Sequence, residues 1–132
     1  MNYCVIDGKS FDVVVTSITE TFNILNSDNS GRTTGIGSRM VLDPLGTFYG
    51  HTVKFKRKKG HEEDYDELFR LLSYPRYGGI HISMAHDQSV IEYDAYVSQG
   101  QRELKQIDPK THKIYWGEMS IKFTPMEAQI TP

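Results

Sequence analysis

A single cysteine, Cys4, in a chain of 132 residues leaves no internal disulfide to build, so the fold has to hold without bridges, as it does in a reducing compartment. Cys4 sits in the apolar segment "NYCVI", where a thiol packs as a small hydrophobe more readily than it reacts. No apolar run approaches ~20 residues and the N-terminus has no basic stretch followed by a hydrophobic one, so neither a membrane span nor an export signal is expected. A basic excess is missing too: 15 Lys and Arg face 17 Asp and Glu, for a formal net charge of -2. That balance disfavours nucleic-acid binding driven by phosphate neutralisation, and no sequence-specific nucleic-acid partner is expected.

Motifs for small-molecule chemistry are equally scarce. The stretch "NSDNSGRTTGIGSRM" at 26–40 is rich in glycine, but a phosphate loop needs a lysine and a helix after its glycines, and the segment after these glycines has strand character. After Gly37 come Ser38, Arg39 and Met40, with no third glycine for a dinucleotide fingerprint. The histidines at 51, 61, 81, 86 and 112 fall on separate segments, and none pairs with another at the helical spacing of a zinc site. The carboxylates of "EEDYDE" at 62–67 suit the start of a helix better than a cation loop, since the helix dipole favours acids there and metal loops place glycines between their ligands. No catalytic residue, cofactor or metal site is therefore assigned, and an enzyme is not expected.

What the sequence does have is β pattern. "NYCVIDGKSFDVVV" reads as a small hairpin about Asp7-Gly8. From Phe11 to Leu25, Ile18, Phe22 and Ile24 share one parity and alternate with Thr19, Thr21 and Asn23, the pattern of a half-buried strand. Pro44 and Gly46 interrupt the next apolar segment, which places the start of a continuous strand near Thr47. That strand puts Tyr49, His51, Val53 and Phe55 on one face and Lys54, Lys56 and Lys58 on the other.

Tyr65, Leu68, Phe69 and Leu72 then recur at helical spacing, with Leu71 widening the stripe, so one amphipathic helix is predicted over about 61–74 and Pro75 ends it. Three strands come next, in "GIHISMAH", "SVIEYDAYVSQGQRELKQI" and "KIYWGEMSIKFTP", the last two joined by the turn "DPKTHK". "MEAQITP" reads as a loosely held tail. The expectation is a single α+β domain over 1–132: a mainly antiparallel β-sandwich or split barrel of about six to eight strands, one helix, and a long flexible loop at 26–40.

Surfaces are the remaining candidates for function. "KFKRKKG" at 54–60 can serve as a solvated strand edge, as a patch for an acidic partner, or as a nucleic-acid contact; the acidic run directly after it blunts the last. "YPRYGG" at 74–79 combines Tyr74, Arg76 and Tyr77 with a rigid turn, the residue types enriched at protein interfaces. In the glycine-rich loop, Arg32 and Arg39 are the expected anchors on a neighbour, with the loop mobile in an isolated subunit and ordered in an assembly. Arg32, Arg39, Lys54, Lys56, Lys58, Tyr74, Arg76 and Tyr77 are thus the candidate interface residues.

Taken in order, the strand, the loop with Gly31-Arg32, the segment with Gly46 and Tyr49, the helix end from Leu68 to Pro75, and the closing Phe123-Thr124-Pro125 resemble the small tail proteins of phages and prophages of Gram-positive bacteria. The resemblance covers most of the chain. It implies a fold like that of tail-tube and distal-tail proteins, whose subunits join edge to edge into a ring around the tail channel. It further implies a structural virion protein, made in the host cytoplasm, whose partners are copies of itself and other tail or baseplate proteins. The large C-terminal domain of full-length distal-tail proteins has no counterpart here, which points to a compact ring, baseplate or tube component. The alternative is a monomeric adaptor that grips a protein partner through the basic 54–59 face.

Overall fold

The computed structural model describes residues 4–9, 11–28, 30–35 and 37–132. Along the chain run β1 (Cys4–Ile6), β2 (Val13–Asn26), β3 (Gly31–Arg32), β4 (Met40–Val41), β5 (Pro44–Arg57), α1 (Glu62–Ser73), β6 (Ile80–His86), β7 (Ser89–Ile107) and β8 (Ile114–Pro125). Six of the strands make one sheet in the order β1-β6-β7-β8-β5-β2, antiparallel throughout, and β3 pairs with β4 in a separate two-stranded ribbon. The fold is α+β and mainly antiparallel, as the alternating segments and the single helical stripe require.

The sheet does not lie flat. Glu20 of β2 and His51 of β5 both reach β6, although β7 and β8 lie between β5 and β6 in the sheet order. It curls into an open barrel around Val53 and Phe55 of β5, Ile82 and Met84 of β6, Tyr93 and Ala95 of β7, and Met119, Ile121 and Phe123 of β8. Helix α1 covers this core with Tyr65, Leu68 and Leu72, all buried. Each such side chain contributes about 1.5–3 kcal/mol relative to exposure. Glu62, Glu63 and Asp64 occupy the first helical turn and Arg70 the last, so both ends complement the dipole. Tyr74 is already extended (φ -80°, ψ 124°), the conformation that Pro75 imposes on its predecessor, and the helix stops there.

Five sequence expectations change in the structure. The Asp7-Gly8 turn forms, with both residues at positive φ (54° and 64°), but β1 and β2 do not pair across it. They leave to opposite edges of the sheet, β1 onto β6 and β2 onto β5, because each finds a longer partner there. The second half of β2 is not half-buried: Phe22 is 64% exposed, Ile24 55% and Leu25 51%. Phe22 and Ile24 keep the expected parity, opposite Tyr49 and Thr47, with Leu25 on the other face, but all three lie past the end of the core. Strand β5 starts at Pro44 rather than near Thr47, its first rung being Asn26 with Pro44. The 26–40 loop is partly ordered by the β3–β4 ribbon, in which Arg32 Nη1 donates to the Ser38 carbonyl at 3.2 Å. Ser27 and Ser30 tie its base to Asp43.

The fifth change is the tail, which is held rather than loose. The Gln129 side-chain amide accepts from Tyr49 N–H at 3.0 Å and donates to the Tyr49 carbonyl at 3.1 Å, and Thr47 N–H donates to the Ile130 carbonyl at 2.8 Å. The close approach depends on Gly46, where an added Cβ would lie 2.6 Å from Ala128 Cβ and 2.9 Å from the Ile130 carbonyl oxygen. Gly46→Ala is therefore expected to lift the tail off β5 and cost about 1–3 kcal/mol of stability. Denaturant titration together with faster amide exchange at Thr47, Gln129 and Ile130 checks this; unchanged exchange there would show that the tail is not clamped by close packing.

Candidate functional site

Four strands that are far apart in sequence bring polar side chains to one end of the barrel. His51 of β5 is buried, and its Nδ1 lies 2.6 Å from the Tyr93 hydroxyl of β7. Its Nε2 lies 3.0 Å from Glu20 Oε2 of β2 and 3.2 Å from the Ala85 carbonyl of β6. Two acceptors face Nε2, so that nitrogen carries the hydrogen and Nδ1 accepts from Tyr93. The same Glu20 oxygen accepts from His86 Nδ1 at 2.7 Å, and the His86 ring packs on Tyr49 with centroids 4.8 Å apart. Glu20 thus joins two imidazoles across the seam of the curled sheet.

Burial holds the His51 pKa below the ordinary 6.5, since desolvation outweighs the Ala85 and Glu20 contacts that favour charge. His86 is shifted the other way, above 6.5, chiefly by its hydrogen bond to Glu20. Burial raises the Tyr93 hydroxyl above its ordinary 10 and keeps it a donor. A fully bonded neutral imidazole sealed beneath strands is placed to fasten them together. Nothing in the spacing of residues 20, 51, 86 and 93 announces the cluster; the only hint is that Glu20 is the lone charge of β2 and His51 shares the apolar face of β5.

A second cluster forms where the start of β2 meets the start of α1. His61 Nδ1 lies 3.0 Å from Asp12 Oδ2 and 3.9 Å from Asp64 Oδ2, and the three residues have metal-ligand spacing. Lys58 Nζ sits 3.0 Å from Asp12 Oδ1 and already supplies the positive charge there. Of the acidic run considered as a cation site, only Asp64 joins this group. On the other side of the helix, Arg102 of β7 bonds Asp66 at 3.0 Å and lies over Phe69 and Trp116 at 4.0 and 4.1 Å, pinning α1 to the sheet.

The candidate interface residues fall in three places. Arg32 and Arg39 sit on the β3–β4 tip, both exposed, with Arg32 bonded within its own ribbon. Lys54 and Lys56 share the outer face of β5, but the strand ends at Arg57 and Lys58 turns to Asp12, so the expected three-lysine face is a pair. Tyr74, Arg76 and Tyr77 lie together after α1. Tyr77 is fully exposed, Arg76 is 3.7 Å from Asp7, and Tyr74 and Arg76 border a cleft of about 300 Å³ with Leu72, Ile80, Tyr96 and Val97.

Sequence reasoning missed one group of exposed side chains. Beyond the barrel, β2 and β5 continue as an arm, and exposed apolar side chains gather on it: Phe22, Ile24, Leu25, Met40, Val41, Leu42 and Leu45, with Ile130 of the clamped tail beside them. The outer edge of β2 has no strand paired to it among the described residues. Strand edges are commonly shielded by lysine, proline or bulges. β2 reads "VVVTSITETFNILN", without lysine or proline, and its one charge, Glu20, is turned inward to the two histidines. Its bulge near Thr16 lies at the other end from the arm.

No protein-family model matches the chain, and no curated protein matches it.

The histidine seam has a defined pH response. For His51, whose folded pKa is depressed, stability is retained above 6.5 and declines as pH falls below it, because the unfolded chain takes up the proton more readily. For His86, whose folded pKa is raised, the contribution is full below 6.5 and is lost as pH climbs through the raised value. His86→Gln is expected to cost about 1 kcal/mol near pH 6, as loss of a charge-assisted hydrogen bond, and less as pH rises. Urea titrations of both proteins from pH 5.5 to 8.5, roughly two units around the transition, read the gap directly; a gap that widens with pH would contradict the assignment.

Proposed function

We propose that the chain is a structural subunit of a bacteriophage tail, repeated in a tail tube or baseplate (distal tail) ring. It acts through contacts between copies and with other tail proteins, and its place is the virion after assembly in the host cytoplasm. The observation that carries the reading is the arm: a run of apolar side chains held on ordered strands outside the core. Large apolar side chains left exposed together on one hairpin mark a surface suited to docking another protein. The phage assignment rests on the order of segments and on Gly31-Arg32, Gly46, Tyr49, Leu68 to Pro75 and Phe123-Thr124-Pro125. The clamped tail and the histidine seam support it by fixing the root of the arm, so that its apolar residues are presented in one geometry.

One observation favours a second reading. Lys54 and Lys56 are exposed on the outer face of β5 and have no ion-pair partner among the described residues, which suits a monomeric adaptor for an acidic protein.

Light scattering over a range of micromolar concentrations separates the two readings. A tail subunit is expected to give a concentration-dependent multimer, with rings or short tubes in negative stain. The triple variant Phe22→Ser, Ile24→Asn, Leu42→Ser is expected to stay monomeric with an unchanged thermal midpoint, because these side chains are exposed. A wild-type chain that stays monomeric throughout, with partner capture lost in Lys54→Glu, Lys56→Glu, would instead favour the adaptor.

A further inference from the structure

We propose that the outer edge of β2 pairs antiparallel with the same edge of a second copy of the chain, about a two-fold axis midway between the two copies of Asn23. The inference rests on the reading that this chain assembles through its arm, and it names the edge, the partner strand and the register. A two-fold contact closes on itself, so it joins subunits or stacked rings in pairs, and closing a ring falls to a separate head-to-tail surface.

The edge needs a partner that is long, apolar at one end and not repelled by Glu20. Among the described residues β1 offers three residues, too few to cover it. The unpaired part of β7 beyond Ala95 is long enough, but it carries Arg102, Glu103 and Lys105, the charges that defend an edge. Another β2 fits better. Directly opposite residues of an antiparallel pair share a face, so a continuous sheet with a two-fold axis normal to it must be centred on a residue. Centring on Asn23 sets Phe22 of each copy opposite Ile24 of the other, an aromatic with β-branched pair formed twice. Both lie on the face that runs on from the core residues of β2 and β5, so the two arms extend one apolar stripe. The same register sets Thr21 opposite Leu25 and Glu20 opposite Asn26, so the only charge on the strand never meets its own copy.

Phe22 and Ile24 lie on one face of β2 beside the open edge, both more than half exposed, whereas Leu25 faces the other side and Ile130 lies across β5. The contact therefore combines this one apolar face with backbone pairing along the edge. The register also carries the β3–β4 tip of each copy toward the start of β2 of the other. Burial of Phe22, Ile24 and the tip residues and completion of the β2 hydrogen-bond edge then occur in one contact.

A disulfide trap tests the register. Opposite residues stand about 4.5–5.5 Å apart between Cα atoms, within bridging range, whereas positions two residues out of register exceed it. Asn23→Cys should therefore yield, under mild oxidation, a dimer on a non-reducing gel that a thiol reductant reverses. Phe22→Cys alone should give little dimer, and an equimolar mixture of Phe22→Cys with Ile24→Cys should give much. Wild type treated alike is the control, since Cys4 is half-buried with its thiol pushed up to about 12. Matching thermal melts confirm that the variants are folded. If light scattering shows multimers but Asn23→Cys does not cross-link, the two-fold contact is overturned and the assembly reading stands. If Phe22→Cys cross-links to itself in preference to Asn23→Cys, the register is overturned. A chain monomeric in all assays overturns both.

Discussion

Two fourteen-residue strands, β2 and β5, pair over almost their whole length and outrun the core they help to enclose. That mismatch governs the rest of the molecule. Where the pair crosses the barrel, its inward face is Val53 and Phe55 with the partly buried Ile18 and Val13 packed beside them. Past the barrel the same alternation continues, but Phe22 and Ile24 are left more than half exposed. Backbone pairing keeps the overhang extended, and the hydrophobic cost of its exposed face is left to be relieved by contact with another surface.

An overhanging hairpin is useful only if its root is rigid. The root is fixed from three sides. His51, Glu20, His86 and Tyr93 fasten β5, β2, β6 and β7 across the seam of the curled sheet, with a buried imidazole whose two nitrogens are both bonded. The C-terminal segment clips onto the opposite edge of β5 through Gln129 and Ile130. Arg102, over Phe69 and Trp116 and bonded to Asp66, holds the helix against β7 and β8. A half-satisfied buried network would cost more than an apolar core, so the completeness of the His51 contacts lets this polar seam sit inside the barrel.

Much of this was legible in the sequence. The alternation of Val53 and Phe55 with Lys54 and Lys56 gave the faces of β5 correctly, and Tyr65, Leu68 and Leu72 gave the helix and its buried side. The arm was not legible, because parity reports which face a residue shares and not whether anything covers that face. Phe22 and Ile24 have the pattern of core residues and the exposure of surface ones. Asp7-Gly8 forecast a turn correctly and a hairpin wrongly, since a turn fixes the local bend while the partner is chosen by the long ladders each strand can join. The histidine seam was hidden for a related reason: Glu20 and His51 are cross-strand neighbours, but they reach Ala85 and His86 of β6 only because the sheet curls, and curling is a property of six strands together. The 26–40 loop, whose Arg32 and Arg39 were expected to anchor on a neighbour, forms the tip of the arm.

The central claim is that the outer edge of β2 is open in the single subunit and covered in the assembly. Amide hydrogen exchange measured across a dilution series tests it most directly. Protection is expected to rise with concentration at outward-facing amides between Glu20 and Asn26, while amides in the middle of β8, paired in every state, do not change. Exchange at β2 that is independent of concentration, in a sample that light scattering shows to be multimeric, would contradict it and place the contact elsewhere on the molecule.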